Sequence, residues 1–191
     1  MEKGLLIILS GPSGVGKGTV RQYLMEDSSL NLVYSVSCTT REPRDREVDG
    51  RDYFFISKEQ FLKGIDEGLF YEHAQFCGNY YGTPKSYVEK LRNEGKNVIV
   101  EIETNGARQL ISKMNHQKEI SIYIMPPDFE ELERRIRGRK TETEDVIMQR
   151  LYKAREEIKL KDLYDYNVTN ITPEQCAGEI KKIIIDCLAK N

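Results

Sequence analysis

The sequence predicts an α/β protein, a five-stranded parallel sheet flanked by helices. Three observations lead there. Five short runs rich in aliphatic and β-branched residues occupy residues 4–9, 32–37, 97–102, 120–125 and 166–169. None alternates strictly between apolar and polar residues, as strands buried on both faces do not. Helical patterns separate the runs, and strand–helix–strand repetition sets consecutive strands parallel beneath a layer of helices. A chain of 191 residues is long enough to bury a core of its own in one domain.

The elements follow in order. The run 4–9 leads directly into Gly11-Pro12-Ser13-Gly14-Val15-Gly16-Lys17, and a helical pattern follows over 19–25. After the second run the rhythm breaks. Residues 36–86 carry Arg41-Glu42-Pro43-Arg44 and Gly50-Arg51-Asp52, then a short strand at 53–56. A helix starts at Ser57, with Gln60 closing a capping box, and a turn-rich aromatic strip, Cys77-Gly78-Asn79-Tyr80-Tyr81-Gly82, ends the stretch. This reads as a small α+β lobe inserted into the main sheet. The third and fourth runs return to that sheet. Residues 129–157 break the rhythm again. Asp128 with Glu131 marks one helix start and Thr141 with Glu144 another. Between them, Arg134-Arg135-Ile136-Arg137-Gly138-Arg139-Lys140 reads as the basic hinge of a helical lid. Residues 1–35, 87–128 and 158–191 are left as the core. The last helix opens at Thr172-Pro173, a capping threonine with proline in the first turn. It sets Ile180, Ile183, Ile184 and Leu188 on one face.

Composition narrows the function. Lys and Arg total 29 against 31 Asp and Glu, a net charge of −2, which argues against a surface coated for non-specific nucleic-acid binding. No apolar run approaches the roughly 20 residues of a membrane span. The N-terminus enters a strand with no cleavage region of a signal peptide. The four cysteines, Cys38, Cys77, Cys176 and Cys187, form no C-x-x-C pair and read as reduced thiols of a cytoplasmic protein.

Gly11 to Lys17 fits G-x-x-x-x-G-K between a strand and a helix, the setting a phosphate loop needs. The glycines let successive N–H groups face inward, the helix adds its positive end and Lys17 adds a mobile charge. Gly18 stands where the general motif has a hydroxyl, so no side chain is expected to ligate Mg2+ directly. Thr19 then contacts phosphate, and Mg2+ is held mainly by phosphates and water. Arg41 and Arg44 in one turn, with tyrosines nearby, suggest a second anion site, since arginine forks suit phosphate and tyrosine hydroxyls complete such a site without charge.

Six segments together resemble guanylate kinases in order and spacing. They are Gly11–Thr19, Ser37-Cys38-Thr39-Thr40-Arg41-Glu42-Pro43-Arg44, Gly50-Arg51-Asp52-Tyr53, Glu72-His73-Ala74-Gln75-Phe76, Gly78-Asn79-Tyr80-Tyr81-Gly82-Thr83, and Gly138-Arg139-Lys140-Thr141-Glu142-Thr143-Glu144. The resemblance implies a nucleoside monophosphate kinase of the P-loop fold that phosphorylates GMP, and dGMP, to the diphosphate with ATP and Mg2+. It implies that Gly11 to Thr19 hold ATP with Asn170 near the adenine, and that residues 36–86 form the GMP lobe. Within that lobe Ser37, Arg41, Arg44, Tyr53 and Tyr81 would surround GMP, while Glu72 and Thr83 would read its base. Guanine offers N1–H and N2–H beside an O6 acceptor; a carboxylate takes the donors and a hydroxyl serves O6. Adenine would leave that acid unpaired. Family members carry an Asp and a Gln where this chain has Glu103 and Asn105, and the resemblance makes Glu103 a guanine or Mg2+-water contact.

It further implies that Lys17, Arg135, Arg139 and Arg150 surround the migrating phosphoryl, the last three when the lid closes. Residues 134–150 hold five Arg and one Lys against two Glu and one Asp, so the lid is basic although the chain is not. Neither His73 nor His116 has triad partners, and both read as surface or supporting residues. Two other readings compete. Guanylate-kinase-like scaffold modules bind phosphorylated protein segments, but their phosphate loops are degraded where this one is intact. A kinase for another small phosphate compound would lack the pair Glu72 and Thr83.

Overall fold

The computed structural model describes residues 2–138 and 143–190. Five strands form one sheet: β1 (Leu6–Ser10), β2 (Leu32–Tyr34), β7 (Asn97–Glu101), β8 (Glu119–Met125) and β9 (Tyr166–Thr169). Their order is β2-β7-β1-β8-β9, and every pairing is parallel. β1 is central and wholly buried because its residues feed two cores at once. Leu5, Ile7 and Leu9 pack with Val20, Leu24, Ile180 and Ile184 on one face, whereas Leu6 and Ile8 pack with Val88, Leu110 and Tyr123 on the other. That two-sided demand is why the strand reads as an unbroken apolar run.

Helix α1 (Lys17–Met25) follows β1, and α7 (Pro173–Ala189) packs beside it. Thr172 caps α7 by accepting from Gln175 N. Ile180 and Ile184 are buried, but Leu188, in the last turn, is exposed instead of sharing their packing. Helices α3 (Lys85–Asn93) and α4 (Thr104–Ile111) contribute to the opposite core.

The run 32–37 divides. Ser35 N still donates to Ile99 O at 2.9 Å, and there the chain leaves the parallel sheet. It re-forms as β3 (Cys38–Thr39) in a second sheet with β4 (Phe54–Phe55), β5 (Phe70–Phe76) and β6 (Asn79–Pro84), ordered β4-β3-β6-β5. β6 runs antiparallel to both neighbours. Helix α2 (Lys58–Asp66) has the reciprocal Ser57–Gln60 capping box and covers this sheet with buried Phe61, which stacks on Phe70 at 4.4 Å.

Helices α5 (Phe129–Arg137) and α6 (Glu144–Ile158) pack on the first core through Leu132, Ile136, Ile147 and Leu151. Asp128 caps α5 by accepting from Glu131 N at 2.7 Å. The cap of α6 is Thr143, without a side-chain bond; Thr141, expected there, lies outside the described residues. No helix among the described residues is long and apolar enough to cross a membrane.

Arg92 is the largest fully buried side chain, 1% exposed. It donates to Gly4 O and Lys118 O and pairs with Glu89 and Glu119, tying the starts of β1 and β8 to α3. Arg92→Met removes the side-chain donor from Gly4 O and Lys118 O and the cation from between Glu89 and Glu119. The expected loss is about 3 kcal/mol, read as a lower urea midpoint; an unchanged midpoint would contradict this account.

Candidate active site

The C-terminal ends of the parallel strands β1 and β7 open onto two adjoining cavities, of about 270 and 460 Å³, and Glu101, Ile102 and Glu103 line both. The smaller is the phosphate loop. Gly16 caps α1 at φ +99°, a left-handed conformation that favours glycine, and a Cβ there would meet Asn170 Nδ2 at 2.9 Å. Lys17 Nζ folds back to donate to Gly11 O at 2.7 Å and Pro12 O at 3.3 Å. Burial lowers its pKa, and the carboxylates Glu101, Glu157 and Glu103 pull it back up. Val15 is buried, Ser13 and Gly14 half-buried. A Cβ on Gly18 would stand 3.8 Å from Glu101 Oε1, so the loop's helix faces that acid. Thr19 is exposed on α1.

Helix α6 grips the loop at Ser13 from two sides. Arg150 Nη2 donates to Ser13 Oγ at 3.0 Å, and Ser13 N donates to Glu157 Oε2 at 3.1 Å. Glu157 is 7% exposed and was not among the residues singled out from the sequence. One signal was available: Arg150, Lys153 and Glu157 lie at i, i+3 and i+7, on one helix face. Lys153 takes the third contact, pairing with Glu103 Oε2 at 2.7 Å. Glu103 is thus an exposed, ion-paired lip between the cavities, while Glu101 is the more buried acid, held by Arg21 Nε at 2.7 Å. Arg21 lies 4.1 Å from the Tyr34 ring centroid, and burial pushes that phenol up to about 12.

Two residues expected at the nucleotide sit behind the loop. Asn170, 2% exposed, donates from Nδ2 to Val15 O at 2.7 Å, so its side chain supports the loop backbone and does not face open surface beside an adenine. Arg135 donates to Val15 O at 3.2 Å and Asn170 O at 3.1 Å, with Nε on Glu131. Its guanidinium is engaged by carbonyls on the rear of the loop and does not line the phosphate cavity. Arg139 lies outside the described residues.

The larger cavity is lined by Ser37, Tyr53, Glu72, Tyr81, Asn105 and Gly106 among others. Glu72 is buried, 6% exposed, at the sheet's β5 strand. Its Oε1 accepts from Thr83 Oγ1 at 2.7 Å. In the protein alone the Thr83 hydroxyl proton is therefore directed at the acid beside it. Burial pushes the Glu72 pKa up, against the Thr83 bonds and the nearby Lys113 ammonium.

At the cavity's rim, Tyr53 and Tyr81 meet edge-on at 6.1 Å, and the Arg41 guanidinium lies 5.5 Å from the Tyr53 centroid. Arg41 is held by Glu47, whose Oε1 accepts from Nη2 at 2.9 Å while its Oε2 accepts from Arg44 N at 2.7 Å. The Arg41 bond depresses the Glu47 pKa. Arg44 contributes its backbone to this arrangement, and the residue is exposed. Glu47 too was absent from the sequence reading. Among the described residues no cluster of three or more His, Cys, Asp or Glu is placed to hold a metal ion. The oxygen donors present, Glu101 and Glu103 beside the phosphate loop, suit a hard cation bound mainly through phosphate and water.

The chain can be set beside known proteins. A sequence model described as guanylate kinase matches residues 3–187. The guanylate kinase of Mesoplasma florum is 52% identical over 184 residues, which cover 96% of this chain and 61% of that protein. That of Bacillus anthracis is 51% identical over 184 residues, 96% of this chain and 89% of that protein. The crystal structure of guanylate kinase from Anaplasma phagocytophilum superposes with a TM-score of 0.74 at 34% identity, covering 97% of this chain and 87% of that one. With half of its positions shared over nearly its whole length, the chain belongs to the guanylate kinase family.

Proposed function

We propose that the protein transfers the terminal phosphoryl group of ATP to GMP, and to dGMP, giving ADP and the nucleoside diphosphate in cytoplasmic purine nucleotide metabolism. The observation that carries this reading is the shared wall. The phosphate loop with Lys17 stands on one side of Glu101–Glu103 and a cavity lined by a buried acid on the other. Two anionic nucleotides held there meet end to end. The 36–86 lobe binds GMP, residues 129–157 act as a lid, and the remainder is the core.

The roles follow from the chemistry. Gly11 to Gly16 and Lys17 hold the donor's phosphates, with Gly18 and Thr19 opening the helix behind them. Arg150 reaches the transferred group from α6. On the acceptor side Arg41 and Arg44, with Tyr53 and Tyr81, take the GMP phosphate; Ser37 lines the same cavity. Glu72 accepts from guanine N1–H and N2–H, and Thr83 orients it. Mg2+ would supply charge neutralisation on the donor phosphates, and Glu101 and Glu103 are the residues that would help to hold it there. The P–O bond to ADP breaks as a GMP phosphate oxygen forms the new one. That oxygen is largely ionised near neutral pH, its second pKa being about 6, so no general base is needed. Positioning and charge stabilisation carry the reaction. Arg135 and Asn170 keep the loop in shape, and the lid excludes water that would otherwise take the phosphoryl. Neither nucleic acid nor membrane enters the reading.

The test is ADP formation with ATP and Mg2+ while GMP, AMP, CMP and UMP are offered separately. GMP is expected to be preferred over AMP by at least about 1,000-fold in kcat/KM, as sites built on buried hydrogen bonds discriminate. Comparable rates with AMP and GMP would refute Glu72 as the base reader.

A further inference from the structure

Gly106 is a glycine that its backbone does not require. It lies in the first turn of α4, is buried, and has no left-handed φ. Alanine would favour such a helix by about 1 kcal/mol. Its surroundings explain it: the three atoms nearest a Cβ built there all belong to Glu72, with Oε2 at 2.6 Å, Cδ at 3.2 Å and Cγ at 3.5 Å. The carboxylate of Glu72 occupies the space a side chain would take. Its other oxygen is held by Thr83 at 2.7 Å. The same helix face is stitched to β5. Gln109 brackets the His73 peptide, accepting from its N at 3.3 Å and donating to its O at 3.0 Å, and Lys113 Nζ donates to Tyr71 O at 3.0 Å. Gly106 and Gln109 fall on one side of α4 and Lys113 lies in the turn that follows it, so α4 cannot retreat from Glu72 without breaking these bonds.

We propose that Gly106 is a specificity-setting positioning residue: the missing side chain lets the Glu72 carboxylate sit between Thr83 and α4, with Oε1 held by Thr83 and Oε2 seated in the space beside Gly106. This rests on Glu72 as the guanine reader. A Cβ at 106 displaces the far end of a side chain and no backbone, so the fold tolerates it and the reader does not.

The experiment compares wild type, Gly106→Ala and the neighbouring surface variant Arg108→Ala, using steady-state kinetics with GMP, inosine monophosphate (which lacks the 2-amino group) and AMP, together with melting temperature. For Gly106→Ala the expected fall in kcat/KM for GMP is about 30-fold or more. It should be carried by the KM for GMP, with kcat changed a few-fold, KM for ATP and the AMP rate unchanged, and melting not lowered. Discrimination between GMP and inosine monophosphate should shrink with it. Shortening the acid relieves the clash, so Glu72→Asp should cost less on the Gly106→Ala background than in wild type. Arg108→Ala should match wild type. A GMP-selective wild type whose Gly106→Ala variant keeps that selectivity, or fails to fold, overturns this inference alone. A wild type that does not prefer GMP to AMP removes the base-reading role on which it stands.

Discussion

Lys17→Met is expected to lower kcat with ATP and GMP by about 1,000-fold or more, some 4 kcal/mol of lost transition-state stabilisation, with the urea midpoint little changed. The substitution keeps the apolar stem and deletes only the ammonium. In the protein alone that ammonium satisfies two loop carbonyls, Gly11 O and Pro12 O, which remain near a solvated cavity when it is gone. In the reaction it is a mobile charge that can follow phosphate oxygens as negative charge shifts between them. Its pKa is depressed by burial, with Glu101, Glu157 and Glu103 opposing. The signs at alkaline pH are therefore opposite for activity and stability. As pH approaches the ordinary lysine value of 10.5 from below, the folded protein gives up this proton before the unfolded chain does. Activity falls there, while the Lys17 contribution to stability grows because the unfolded state binds more protons. In Lys17→Met both trends should vanish. A folded variant with near-normal kcat would remove Lys17 from the mechanism.

The parts of this protein legible in the sequence are those whose chemistry is local. The phosphate loop is one turn between one strand and one helix, so its spacing suffices. Strands such as β1 and β7 are legible because burial on both faces leaves their central positions, Leu6 to Leu9 and Val98 to Val100, wholly apolar. The division after Tyr34 was not legible, since Val36 and Cys38 continue the apolar pattern while the chain is already crossing to another sheet. The contacts that the sequence does not show share a different property: each crosses the fold. Glu157 looks like one more acid in Arg155-Glu156-Glu157 until α6 lies against Ser13. Asn170 and Arg135 meet at Val15 O only once the end of β9 and α5 are brought beside the loop. Thr83 and Glu72 become neighbours only through the pairing of β5 with β6.

Glu72→Gln should separate function from stability in the opposite sense to most buried substitutions. The amide keeps an oxygen to accept from Thr83 but turns a donor toward guanine N1–H and N2–H. The expected fall in kcat/KM for GMP is about 100- to 1,000-fold, with AMP unchanged or improved, since adenine N1 is an acceptor. The pH dependence identifies the residue. Burial raises the Glu72 pKa above its ordinary 4.5. As pH falls through that raised value the carboxyl gains a proton and presents a donor to a donor, so GMP capture by the free enzyme declines. In Glu72→Gln only the limb from the GMP phosphate, near a pKa of about 6, should remain. Stability carries its own sign. Between 4.5 and the raised value the unfolded chain is ionised while the folded acid still holds its proton, so the folded state loses stability as pH rises across that window. The amide has no such penalty, and at a pH above that window its urea midpoint should equal or exceed that of wild type. A carboxylate retained at a cost to the fold is explained by what it binds. A variant that is less stable and equally selective would mean that Glu72 serves packing and that another group reads the base.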